Sequence, residues 1–298
     1  MTAVLYDVPG PKARARNLGL GGLGAVLIVA VLGFIIYRFL VTDQFSGRRW
    51  GWIEYVAIQK LLLGALLNTL QAFAMGAVLA LILGAVFAAC RLSEHSWVAR
   101  PATVVVEFFR AVPLVVMIFI FYYGLPPATG IVVSTYWAVV LGLMLYNGAV
   151  LAEIFRSGVM SLPKGQTEAA YALGLRKTQL MTNVLLPQAV RAMLPTIVSQ
   201  LVVLLKDTAL GFLIGYPELL FAARTLGSQA QFDFPIIPVA MVVAAIYIAM
   251  CLLLSAFANY LERRSRRSPK RVDLDPMGKA KAESAVLTAQ AQGGGGAV

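Results

Sequence analysis

The chain has 298 residues, of which 59% are hydrophobic and 13% charged, with a net charge of +11; soluble domains carry roughly 45 to 50% apolar and about 25% charged residues. That deficit of charge excludes an ordinary soluble fold for most of the chain and places it in lipid, as a single helical membrane domain with polar ends. The surplus of Lys and Arg is what membrane insertion concentrates in cytoplasmic loops, so it calls for no nucleic-acid partner.

In chain order, residues 1–17 form a basic arm carrying Lys12, Arg14 and Arg16. A helix needs ~20 mostly apolar residues to cross a hydrocarbon core about 30 Å thick. Six stretches qualify: 18–41, 61–90, 104–125, 134–155, 187–205 and 236–258. Lipid offers the backbone no hydrogen-bond partners, so all six are expected to be helices and the protein all-α. The apolar run of the first stretch exceeds the 7 to 15 residues usual in a signal peptide, and it reads as an accessory anchor. Its Gly19, Gly21 and Gly24, with Asp43 beyond, spell a dinucleotide-binding pattern. That pattern requires a preceding strand and a βαβ unit; a basic arm and a membrane span flank it here, and the glycines read as close-packing positions or as plain membrane composition.

Orientation follows from the loop charges. Of the 25 Lys and Arg residues, 17 lie in segments 1–17, 91–103, 156–186 and 259–298, against five in 42–60, 126–133 and 206–235. Six spans with both termini in the cytoplasm are therefore expected, in the cell membrane. The tail 262–298 opens on Arg263, Arg264, Arg266, Arg267, Lys270 and Arg271 and ends in Gly293 to Gly296. It cannot bury a core and is expected to be disordered; its basic run either anchors the last helix or touches anionic headgroups.

Chemistry-bearing motifs are scarce. Cys90 and Cys251 are far apart and form no framework. His95, with Cys90 and Glu94 nearby, lacks the further ligands of a metal site. No GxxxxGK[ST] phosphate loop occurs, Gly278-Lys279 being followed by alanine, and no HExxH or GxSxG pattern appears. The chain is expected to be neither an ATPase nor another enzyme, and to carry no cofactor or metal.

The segment between the fourth and fifth spans carries structure of its own. Pro163 and Gly165 suggest a turn, Gln166 to Leu173 a short helix interrupted by Gly174, and Lys177 to Leu185 a second short helix. Ala169 and Ala170 offer a flat face for close approach of another backbone, and Glu168 places a charge near the helix start, where the dipole favours it.

Glu168-Ala169-Ala170, then Gly174 after three intervening residues, and Val184-x-Leu186-Pro187 after nine more, resemble the EAA loop of permeases in ABC importers. More matches follow the order of the polar amino-acid (histidine, glutamine, glutamate) branch: Gly64 with Asn68-Thr69-Leu70, Glu107-Phe-Phe-Arg110 with Pro113-Leu114, Glu153-Ile-Phe-Arg156, Pro163-Lys-Gly-Gln166 and Lys206-Asp207-Thr208. Ala111-Val112 departs from a commoner Gly-Thr pair, and the extra first span and long tail resemble the glutamate-uptake permeases of actinobacteria. The resemblance implies the transmembrane subunit of a type I importer, with a five-helix core in residues 61–260 plus the helix 18–41. It implies a cytoplasmic coupling loop, 157–186, in which Gly165, Glu168, Ala169, Ala170 and Gly174 meet an ATP-binding subunit. It further implies two such subunits carrying the ATP and Mg, a second permease subunit (a related chain rather than a copy), an extracellular amino-acid-binding protein, and glutamate as cargo.

Polar residues within the spans carry two readings each. Glu107 with Arg110 and Glu153 with Arg156 are i,i+3 pairs at helix ends, structural or substrate-contacting. Asn68, Gln71 and Asn147 line a path or bond helix to helix. Lys206, Asp207 and Thr208, followed by Gly211, Gly215, Pro217 and Glu218, open a re-entrant outer gate, since non-helical backbone is tolerated beside a cavity, or form an interfacial salt bridge. The competing function is an ion-coupled secondary transporter, which needs intramembrane carboxylates; no predicted span carries one at mid-depth, and no inverted repeat is evident.

Overall fold

The computed structural model describes residues 10–265, apart from the side chains of residues 259 and 261–265. The expectations for residues 1–9 and for the tail beyond 265 lie outside that range. Within it the chain is helical. Helix α1 (Pro11–Val41) leads to the short α2 (Gly47–Trp50) and a 3-10 turn, Gly51–Glu54; α3 (Val56–Arg91) follows, then α4 (Ser96–Ala111) and α5 (Leu114–Phe119). A π turn, Ile120–Gly124, joins α5 to α6 (Leu125–Thr129). Beyond lie α7 (Thr135–Met160), α8 (Lys164–Ala172), α9 (Lys177–Leu180), a π turn Met181–Leu185 and α10 (Leu186–Asp207). A 3-10 segment, Thr208–Ile214, then α11 (Leu219–Gly227) and α12 (Ile236–Ser265) complete the chain.

Five helical runs are long and apolar enough to cross a membrane, and the bent pair α4 with α5–α6 makes a sixth if counted as one span. The centre is α3 against α7. Helices in lipid gain little from hydrophobicity and associate through close backbone approach, and α3 supplies this with a buried stripe of Thr69, Ala72, Gly76, Ala80, Gly84 and Ala88. A Cβ on Gly84 would stand 2.8 Å from Leu151 Cβ and 3.0 Å from the Gly148 carbonyl. Gly84 is glycine because α7 leaves no room for more. By contrast α1 buries no residue, and it starts earlier than the hydropathy suggested, with Pro11 in its first turn and Lys12 to Arg16 already helical.

Two expectations about the spans are corrected. The third, 104–125, is not one helix: the chain bends by 96° between α4 and α5. Pro113 has no N–H to continue the helix and forces the residue before it out of the α region, and Val112 is extended (φ −79°, ψ 125°). Glu107 lies eleven residues into α4, about 16 Å along a helix, yet it still reaches Arg91, the last residue of α3. Helix α4 therefore crosses the end of α3 and α7 instead of running back beside them, with Val106 buried against Phe87, Ala149 and Ala152. Second, the short helix 177–185 and the fifth span are one helical run, Lys177 to Ile214. Pro187 clashes in a regular helix with the carbonyl four residues back, Asn183; that carbonyl lies in the π turn Met181–Leu185, whose wider ring accommodates the proline.

Candidate coupling loop and membrane polar groups

Helix α8 starts at Pro163 (ψ 129°), so Gly165 lies in its first turn and not in a preceding bend. It ends where Gly174 takes φ +76°, a conformation that costs a side-chain-bearing residue but not glycine. The Gly174 N–H then donates to the Tyr171 carbonyl (2.9 Å) and the Leu175 N–H to that of Ala170 (3.1 Å). Glu168 and Ala169 face outward, as do Lys164 and Leu173. Ala170 does not: it is 4% exposed and packs with Val159, Leu180, Leu185, Ala189 and Met193. The flat face expected of Ala169 and Ala170 together is therefore divided. Ala170 serves the docking of α8 onto its own chain, and Ala169 with Glu168 is what the loop presents.

The loop is tied to one corner of the bundle. Lys177 Nζ lies 2.9 Å from Glu94 and donates to the Leu92 carbonyl at 3.3 Å. At the same corner the i,i+3 pairs form, Arg110 with Glu107 at 3.0 Å and Arg156 with Glu153 at 2.6 Å. Arg91, which sequence reasoning counted only as an inside charge, lies between them, 3.3 Å from Glu107 and 2.8 Å from Glu153. The Glu153 contact is off the N–H axis, an ion contact and not a directed hydrogen bond.

At the opposite end, the 3-10 segment Thr208–Ile214 turns back through Gly215 (φ +79°) into the bundle. Tyr216 is buried and donates its hydroxyl to the Asn68 carbonyl (2.8 Å), while Asn68 Nδ2 donates to the Pro217 carbonyl (2.9 Å). Thr69 Oγ1 accepts the Leu219 N–H. Glu218 is wholly buried, its carboxylate accepting the N–H groups of Leu220 and Phe221 (both 2.7 Å) and the Tyr247 hydroxyl (2.8 Å). No predicted span contained this residue, so the bundle encloses a carboxylate that hydropathy could not reveal. The start of α11 and a phenol offset its charge locally. Lys206 is exposed and joins none of the ion pairs among the described residues, so the interfacial salt bridge to Asp207 or Glu218 is not formed. Thr208 is buried and bonds the Leu205 carbonyl. Asn147, fully buried, accepts from Gln200 Nε2 at 2.7 Å, while its Nδ2 has no partner. Gln71 faces outward. Among the described residues no three His, Cys, Asp or Glu side chains gather as a metal site.

A multi-pass helical membrane protein, with a short helix outside the bundle at one end and a re-entrant segment at the other, is the class this architecture defines. Residues 80–267 match the family described as binding-protein-dependent transport system inner membrane component. The glutamate transport system permease protein GluD of Corynebacterium glutamicum is 40% identical over 226 residues, covering 75% of this chain and 79% of that one. The arginine transport system permease protein ArtQ of Bacillus subtilis is 35% identical over 208 residues, 68% of this chain and 91% of that one. A solved amino acid ABC transporter with histidines superposes with a TM-score of 0.65 at 28% identity, over 72% of this chain and 98% of that one. The chain belongs to the binding-protein-dependent transport inner membrane components. It is an amino-acid ABC transporter permease of the type I fold, a transport subunit and not an enzyme.

Proposed function

We propose that this permease carries glutamate, with α8 as the contact through which ATP hydrolysis on partner subunits drives it. The observation that carries the cargo is the 40% identity to GluD, an actinobacterial glutamate permease, against 35% to the arginine permease ArtQ. The outward-facing Glu168 and Ala169, between Gly165 and Gly174, support the coupling role; Ala170 anchors the helix that presents them. The working assembly comprises a second, related permease chain, two ATP-binding subunits holding ATP and Mg, and an extracellular binding protein. The 157–186 loop and both termini face the cytoplasm, following the Lys and Arg asymmetry. Gln71, Asn68 and Asn147 are the polar groups offered to the translocation path, and Lys206 to Thr208 open its outer gate.

The test is uptake of labelled glutamate, glutamine, arginine and cystine by cells lacking this subunit, at normal membrane potential. Loss confined to glutamate supports the cargo, and loss confined to another amino acid replaces it. Uptake that survives ATP depletion and collapses with an ionophore would mean ion coupling and overturn the coupling reading.

A further inference from the structure

Both ends of the 161–176 loop return to one place. Glu153, seven residues before the end of α7, is held by Arg91, and Lys177, the first residue of α9, is held by Glu94 and the Leu92 carbonyl. Residues 91–94 form the corner between α3 and α4, and α4 leads straight to the bend at Val112-Pro113.

Within the charge cluster Arg91 differs from its neighbours. Its side chain is 7% exposed, against 37% for Arg110 and 28% for Arg156. Arg110 and Arg156 each pair with a carboxylate on their own helix, three residues away, and those pairs survive any movement of one helix against another. Glu107 and Glu153 are thus neutralised without Arg91, whose two contacts both lead to helices other than its own. Its Nε is buried without an acceptor. A buried guanidinium held only this way is costly once either carboxylate leaves, since the uncompensated charge stays in a low-dielectric site.

We propose that Arg91 is a positioning residue of the transport cycle: it clasps α4 and α7 to the end of α3, so that displacement of the 161–176 loop moves the bent segment α4–α5 with it. The proposal rests on the coupling role of that loop. It requires the three helix ends to travel as one body, the kind of contiguous linkage that carries energetic coupling between sites.

The experiment uses the whole transporter, purified with its partner subunits and binding protein and reconstituted into liposomes, with ATP turnover, partner retention and amino-acid uptake read on each sample. Arg91→Gln should keep its partners and hydrolyse ATP within about twofold of the parent, while uptake per ATP falls roughly three- to thirtyfold, the range that residues on coupling networks command. Arg91→Lys, which keeps the charge but not the two-pronged reach, should recover part of that loss. Glu153→Gln should cost less uptake per ATP in the Arg91→Gln background than in the parent, since its pair with Arg156 is lost in both and only the shared contact with Arg91 makes the difference. Unchanged uptake per ATP in Arg91→Gln, additive losses in the double variant, partner dissociation, or disappearance of both Arg91 variants from the membrane would each overturn the proposal, the last two by making Arg91 a docking or folding residue. Ala169→Arg, run alongside, tests the coupling role separately: if it retains its partners and full uptake, that reading fails, whatever Arg91 does.

Discussion

Thr69 on α3 accepts the backbone N–H of Leu219 at 3.2 Å, joining residues 150 positions apart, while donating its own hydroxyl to the Ala65 carbonyl at 2.9 Å. This buried hydroxyl fixes the start of α11, and with it the re-entrant segment, to the central helix. Thr69→Val keeps the shape but leaves the Leu219 N–H unsatisfied, which costs about 1 to 3 kcal/mol. The purified complex should melt at lower temperature in detergent, and uptake should fall because the segment Thr208–Ile214 is no longer pinned. A melting temperature equal to the parent's would show that the Leu219 N–H finds another acceptor.

The contact between α3 and α7 makes a prediction by contrast. Gly84→Val would drive a branched side chain into Leu151 and the Gly148 carbonyl, an overpacking that costs ~1 to 3 kcal/mol or more, and the chain should be depleted from the membrane. Gly64 has nothing within 4 Å of a Cβ, so Gly64→Ala should accumulate like the parent. Immunoblots of membrane fractions decide it, and equal abundance of the two variants would contradict the packing described here.

Neighbouring alanines of α8 should fail differently. Ala170→Arg forces a charge into the cluster of Val159, Leu180 and Met193, so the loop should loosen and protease cut it within residues 161–176. Ala169→Arg projects outward and should leave the protease pattern unchanged while the ATP-binding subunit washes off the membrane. Thr178→Ala, at an exposed site, serves as the control for both. Identical protease patterns for the two arginine variants would mean that Ala170 is not an anchor.

Pro113 sets the bend. Pro113→Ala restores an N–H and frees Val112 to become helical, so α4 and α5 should straighten away from 96°. Spin labels on Arg100→Cys and Tyr123→Cys, with Cys90 and Cys251 replaced by alanine, should move apart in the Pro113→Ala variant. An unchanged distance would mean that packing of α4 across α3 and α7 holds the bend without the proline.

Much of this protein was decided by sequence alone, because the deciding forces are local. A long apolar run in lipid must satisfy its own backbone hydrogen bonds, so the spans could be read as helical, although 104–125 breaks at Val112-Pro113. Pro163 and Gly174 restrict the backbone where they stand, so the short helix α8 between them was legible, and the spacing of Glu168-Ala169-Ala170 to Gly174 and Leu186-Pro187 carried the family. Tertiary structure alone decided how the side chains are shared. Hydropathy shows neither the direction of a bend nor which face of α8 turns inward, so Ala170 read as a surface residue until Met193 and Leu185 were seen around it. Glu218 lay outside every apolar run, and its burial depends on Tyr247 from another helix and on the N–H groups of α11. Arg91 looked like one more inside charge, because its two carboxylates are sixteen and sixty-two residues away and only the crossing of α4 over α3 and α7 brings them together.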